Sequence, residues 1–212
     1  MDDNNVSQEI IRASKALGPS LLSIAIFGSG EINSKHPDYS KSHDLAFQLS
    51  NQGISVITGG GGGVMEAANK GALQGKAESV GLCLSLPNYE KKNEFIHPGK
   101  ALLFSSFFSR KAVFLKYAKG VVCFPGGLGT LDEMFEVLIA IRAKKLPFIP
   151  FYLIGTKFWG GLIQWLNDAV FKQNLAPQEI SEQIKLSDDI QEVAHLISNE
   201  LLPNQPFRKK II

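Results

Sequence analysis

The sequence offers little for redox chemistry, metal binding or membrane insertion. Only two cysteines occur in 212 residues, Cys83 and Cys123. Each sits inside an apolar run, SVGLCLSL and GVVCFP, and reads as a buried thiol rather than half of a disulfide or a metal ligand. The four histidines, His36, His43, His97 and His195, share no metal-like spacing, so no metal is expected. His195 falls in an amphipathic helical pattern and reads as structural, while His36 and His97 sit beside prolines in loops. No apolar run approaches bilayer length, and the polar, acidic start MDDNNVSQEI is no signal peptide. The expected compartment is the cytoplasm. Neither sign of charge dominates: 22 basic residues face 20 acidic ones, for a net +2. That balance argues against a nucleic-acid or membrane surface. The one basic cluster, Arg208, Lys209 and Lys210, sits at the C-terminal end and reads as a solvated tail.

Hydrophobic residues make up 44% of the chain, which is ordinary for a globular domain. One domain over 1–212 is the simplest count, with an N-terminal helix or arm over 1–20 and a loose end over 203–212. Apolar strand runs alternate with helical patterns. Strands are expected at 21–27, 54–58, 79–86, 101–106, 120–124 and 147–154. Helices are expected at 38–52, capped by Asp38 or Ser40, then at 64–75, 107–120, 131–145, 157–170 and 188–202. This alternation implies an α/β fold, a mainly parallel sheet with helices on both faces.

Three glycine turns follow strands: FGSG (27–30), TGGGGG (58–63) and PGGLGT (125–130). Ligands of open α/β sheets bind at the carboxyl ends of the strands. Helix N-termini there offer free amides and a positive dipole end, which suit anions. Two known phosphate patterns do not fit. GSGEIN (28–33) lacks the third glycine of the dinucleotide fingerprint, and no acidic residue ends the second strand to hold a ribose. No glycine run is followed by Lys-Ser or Lys-Thr, so a P-loop is excluded as well. A smaller phosphorylated molecule, such as a mononucleotide, remains. Valine at Gly60 or Gly61 is then expected to weaken binding more than the fold.

In PGGLGTLDE (125–133), Thr130 and Glu133 have the spacing of a capping box, in which Glu133 reaches back to the Thr130 amide. The alternative is a carboxylate facing the ligand cleft as acid, base or cation stabiliser. At about 100° per residue, Arg110 falls in an apolar arc with Phe107, Val113, Phe114 and Tyr117. Ser109, Ala112 and Lys116 make the opposite face. An arginine in such an arc needs an anion: a structural carboxylate, a substrate phosphate or the catalytic carboxylate. Lys111 lies on the edge of the arc.

VITGGGGGVMEAANKGA, FFSRK and VVCFPGGLGTLDEMFE resemble the Lonely Guy (LOG) family of cytokinin riboside 5′-monophosphate phosphoribohydrolases, often labelled possible lysine decarboxylases. The resemblance runs from about Ile24 to Trp165. It implies a Rossmann-like, doubly wound fold and hydrolysis of a nucleoside 5′-monophosphate to free base and ribose 5-phosphate, without a cofactor. It implies Arg110 and Glu133 as the catalytic pair. It implies a substrate or phosphate site on Gly28, Ser29, Gly59, Gly60, Gly61, Gly62, Gly63, Met65 and Lys111 from the first two turns and the Arg-Lys pair. Pro125, Gly126, Gly127, Gly129 and Thr130 complete that site. A homodimer or larger homo-oligomer is implied too. Two positions depart from the family pattern: Glu31 stands where arginine is common, and Gly62 replaces a proline. No lysine has the setting of a pyridoxal phosphate Schiff base, so the decarboxylase label gains no support. Molybdenum cofactor carrier proteins are similar in fold and motifs, which leaves a non-catalytic carrier as the alternative.

Overall fold

The computed structural model describes residues 3–85 and 92–202. The expected tail over 203–212, with its basic cluster, and Leu86 of the expected third strand lie outside the described residues. Seven strands form one parallel sheet: β1 (Ser23–Phe27), β2 (Ser55–Thr58), β3 (Ser79–Leu84), β4 (Ala101–Phe104), β5 (Ala118–Cys123), β6 (Phe151–Ile154) and β7 (Lys185–Ser187). Their order is β4-β3-β2-β1-β5-β6-β7. The chain thus winds outward from β1 to β4, returns past β1 to β5, and winds outward to β7.

Among the described residues, eight α-helices flank the sheet: α1 (Asp3–Leu17), α2 (Pro37–Asn51), α3 (Gly63–Gln74), α4 (Phe107–Tyr117), α5 (Leu128–Arg142), α6 (Thr156–Trp165), α7 (Gln178–Gln183) and α8 (Ile190–Leu201). Strand residues alternate between two cores. Ile24 and Ile26 join Leu45 and Leu49 of α2, Val64 and Ala68 of α3, and Val193 of α8 on one face. Ala25 and Phe27 join Leu17 of α1, Phe114 of α4, Met134 of α5 and Trp159 of α6 on the other. The fold is therefore doubly wound α/β, with every strand pairing parallel.

Local chemistry moves several boundaries from their expected places. His36, rather than Asp38 or Ser40, caps α2, and its Nδ1 accepts from the Asp38 amide. The helix expected over 157–170 becomes π-helical over Leu166–Phe171. Both α7 and β7 follow it, too short to show a periodicity.

On the α2–α3 face the helices meet backbone to backbone at Gly71. A β-carbon there would overlap the His43 carbonyl oxygen and lie 2.9 Å from the His43 carbonyl carbon. No flexible side chain can yield. Gly71→Ala is expected to lower stability by about 2–3 kcal/mol, overpacking outweighing the better helix propensity of alanine. Urea denaturation reads this directly.

Candidate active site

The winding reverses between β1 and β5, so their carboxyl ends diverge. The chain leaves β1 towards α2 on one face and leaves β5 towards α5 on the other. Such a switch point opens a crevice, and here it holds a cleft of about 290 Å³. Three turns wall it, and Ser29 stitches them together. Its amide donates to the Pro125 carbonyl at 3.0 Å, and its carbonyl accepts from the Val64 amide at 2.9 Å.

Most of the expected site residues line this cleft. Gly28 and Ser29 come from the first turn, Gly59, Gly60, Gly61 and Met65 from the second, and Gly127, Gly129 and Thr130 from the third. Arg110 and Glu133 stand among them. Gly62, Gly63, Pro125 and Gly126 are not in the lining. They hold the turns at close quarters instead: a β-carbon on Gly62 would lie 3.0 Å from the Gly30 carbonyl oxygen, and one on Gly126 2.7 Å from Thr130 Cβ. Lys111 points elsewhere, to Asp132 at 2.7 Å and Glu136 at 3.5 Å. Glu31, the departure from the family pattern, and Phe114, of the apolar arc, also line the cleft, as do Lys92 and Cys83, which no sequence motif announced.

The second turn resists substitution for a structural reason. Gly60 has φ +76°, and a β-carbon would overlap the Cys83 sulfur. Valine there strains the fold itself, a cost that the sequence expectation at Gly60 left out. Burial pushes the Cys83 thiol up to about 11, and it also raises that of Cys123. Neither thiol forms a disulfide.

The capping box does not form. Helix α5 begins at Leu128, with Gly127 as N-cap and no side-chain cap bond. Thr130 lies inside the first turn, so Glu133 has no cap to complete. It turns to Arg110 instead, whose Nη2 donates to Glu133 Oε1 at 3.0 Å. Both are buried, Arg110 at 9% and Glu133 at 5% exposure. The guanidinium also lies over Phe107 and Phe114, with centroid distances of 5.4 and 5.9 Å. Burial pushes the Glu133 carboxyl above the usual carboxylate range, and Arg110 draws it only part of the way back.

Arg110 sits on α4 with its approach fixed from behind. Ser109, assigned from periodicity to the polar face, is fully buried because α1 covers it. Its hydroxyl donates to Glu9 of α1, whose other oxygen accepts from the Ser105 amide at 2.8 Å. Burial raises the Glu9 carboxyl, but the Ser109 and Ser105 bonds outweigh it and leave it low. Glu9 thus locks the start of α4, one residue from Arg110.

The electrostatics of the cleft favour an anion. Arg110 Nε is buried without a hydrogen-bond partner among the described residues. Helix α3 likewise starts at an N-cap glycine, Gly62, with no side-chain bond. Two helix starts without side-chain caps and a partly unpaired guanidinium therefore border one space, the Ser29 carbonyl taking only the Val64 amide of α3. Among the described residues, no group of three or more His, Cys, Asp or Glu side chains is placed to hold a metal ion. No helix among them is long and apolar enough to cross a membrane.

Known proteins are similar to this chain in sequence or in fold. The chain is 28% identical over 165 residues to the pyrimidine/purine nucleotide 5′-monophosphate nucleosidase of Escherichia coli K12, a match covering 72% of this chain and 36% of that protein. The chain thus spans about a third of that relative. A cytokinin riboside 5′-monophosphate phosphoribohydrolase of Arabidopsis thaliana is 29% identical over 153 residues, covering 69% of each. Among solved structures, the molybdenum cofactor binding protein of Rippkaea orientalis superposes with a TM-score of 0.58 at 21% identity, covering 86% of this chain and 99% of that one. The DNA processing protein A of Helicobacter pylori gives 0.54 at 16% identity, covering 89% of this chain and 85% of that one. At such identities the likeness is one of fold. The family model for possible lysine decarboxylases matches residues 65–197, more than half of the sequence, and the chain belongs to that family, the one its resemblance to the Lonely Guy proteins points to.

Proposed function

We propose that the cleft hydrolyses the N-glycosidic bond of a nucleoside 5′-monophosphate, releasing free base and ribose 5-phosphate. One observation carries this reading: a buried Arg110–Glu133 pair set between two uncapped helix starts. The free amides suit the 5′-phosphate, and holding it orients the sugar. Cleavage of the C1′–N bond develops positive charge on the ribose ring. The Glu133 carboxylate offers the matching negative charge. It also accepts a proton from the water that attacks C1′. The departing base takes up a proton at its nitrogen from solvent, and Glu133 returns its own to solvent, so that water supplies OH to the sugar and, in sum, H to the base. Arg110 orients Glu133 through its Nη2.

Relatives named as nucleotide 5′-monophosphate nucleosidases and cytokinin riboside 5′-monophosphate phosphoribohydrolases support the class of reaction. They name different substrates, so the base preference rests with the cleft of this chain. Incubation with AMP and with isopentenyladenosine monophosphate, followed by chromatography, tests the reading. Release of adenine or isopentenyladenine is the expected result. Tight nucleotide binding with no base released over hours would replace hydrolysis by a carrier role.

A further inference from the structure

Beneath the glycine turn lies a buried polar network that the proposed chemistry leaves unused. Its centre is Asn93, 7% exposed, in the connection between β3 and β4. The Asn93 amide donates to the Gly60 carbonyl at 2.8 Å. Its side-chain Nδ2 donates to the Gly61 carbonyl at 2.9 Å and to Asn69 Oδ1 at 2.9 Å. Its Oδ1 accepts from the Phe95 amide at 3.0 Å. The network continues without slack. Asn69 Oδ1 also accepts from Thr58 Oγ1 at 2.6 Å, and Thr58 Oγ1 accepts from the Gly60 amide at 2.9 Å. Asn69 Nδ2 donates to Ser79 Oγ and to the Val80 carbonyl.

A peptide unit is planar and trans, so its carbonyl and its N–H point in opposite directions. Asn93 takes the Gly60 carbonyl and thereby turns the Gly61 N–H away from itself. It takes the Gly61 carbonyl and turns the Gly62 N–H the same way. Neither amide has another hydrogen-bond partner among the described residues. Gly61 lines the cleft, as does Lys92, the residue before Asn93. A run of glycines has many backbone conformations of similar energy; one outside residue grips two successive carbonyls and selects one of them.

We infer that Asn93 is a positioning residue that sets the peptide planes of Gly60–Gly62 so that the Gly61 amide, in the cleft wall, receives the substrate phosphate. This rests on the nucleotide reading of the cleft. The sequence gives Asn93 no motif, and it lies outside all three glycine turns.

The test compares AMP with adenosine, which differ only in the phosphate. For the unmodified protein, kcat/KM is expected to favour AMP strongly. In Asn93→Ala, that preference is expected to fall about tenfold or more, the worth of hydrogen bonds to a charged group. A general structural role would lower both substrates alike and leave the ratio untouched, which would overturn the inference. If the unmodified protein itself treats AMP and adenosine equally, the phosphate reading fails and takes the inference with it. A second measurement does not depend on the variant folding. In amide NMR of the unmodified protein, titration with inorganic phosphate is expected to shift the Gly61 signal, with the Asn93 side-chain amide protected from exchange. An unshifted Gly61 signal, or a freely exchanging Asn93 side chain, would equally overturn it.

Discussion

Glu133→Gln should reduce base release from AMP by roughly 10²–10⁴-fold, the usual worth of a positioned acid–base group, while nucleotide still binds. Glutamine keeps the shape and still accepts from Arg110, but it carries no charge to face a cationic ribose and cannot take a proton from water. Turnover by chromatography and binding by calorimetry separate the two effects. Wild-type turnover in a folded Gln variant would remove Glu133 from the chemistry. The pH profile gives an independent check. Ionised Glu133 is the working form, and burial raises its pKa above the usual carboxylate range. The acid limb of kcat/KM is therefore expected above that range and absent from whatever activity the Gln variant retains. Stability runs in the opposite direction. A carboxyl whose folded pKa lies above its unfolded value binds its proton more tightly when folded. Its contribution is full below the unfolded pKa and is lost as pH rises through the folded one. The pH that switches the site on is thus a pH that loosens the fold around it.

Gly63→Ala is expected to be the most damaging change for the fold among the glycine turns. Gly63 has φ +59°, and an added β-carbon would overlap the Ser29 carbonyl oxygen and lie 2.8 Å from the Gly30 carbonyl carbon. Both obstacles are backbone. The left-handed conformation and the overlap together should cost roughly 3–5 kcal/mol. Relief requires the second turn to part from the first, which breaks the Val64–Ser29 hydrogen bond and opens the cleft wall. Nucleotide binding is expected to disappear in the same variant. Gly129→Ala is the control. Nothing lies within 4 Å of its added β-carbon, and alanine is worth up to about 1 kcal/mol over glycine inside a helix. Denaturant midpoints for the two variants should fall on opposite sides of the wild type. A Gly63→Ala protein as stable as wild type would mean that the two turns are not in contact.

The alternation of strands and helices was readable because the central strands bury both of their faces and so appear as continuous apolar runs, as in SIAIF and SVIT. The three glycine turns were readable for the same reason: they stand where those runs stop. Arg110 was legible as a charge in an apolar arc that needed an anion, and Glu133 supplies it. What failed had a common cause. The capping-box reading of Thr130 and Glu133 used spacing within one segment, whereas the partner of Glu133 lies on α4. Ser109 looked solvent-facing because its own helix could not reveal that α1 would cover it. Glu9, Asn69 and Asn93 are single polar residues whose partners are distant in sequence. Asn69, set among alanines and glycine in VMEAANKGA, offered a faint sign of a buried amide. The short α7 and β7 carry too few residues for any period to emerge.

The position of β1 between β2 and β5 also places a clock on the birth of this protein. Ser23 at the start of β1 bonds to the Tyr117 carbonyl, 94 residues later. A ribosome adding about 5–20 residues per second needs on the order of 5–20 s to cover that interval. Once β2 has emerged, β1 can pair with it but presents its other edge bare until β5 arrives, and the crevice between β1 and β5 has only one wall. Such an edge is open to pairing with another chain. Nascent chains halted before β5 should therefore be the species most prone to aggregate, and chaperone demand should peak in that window.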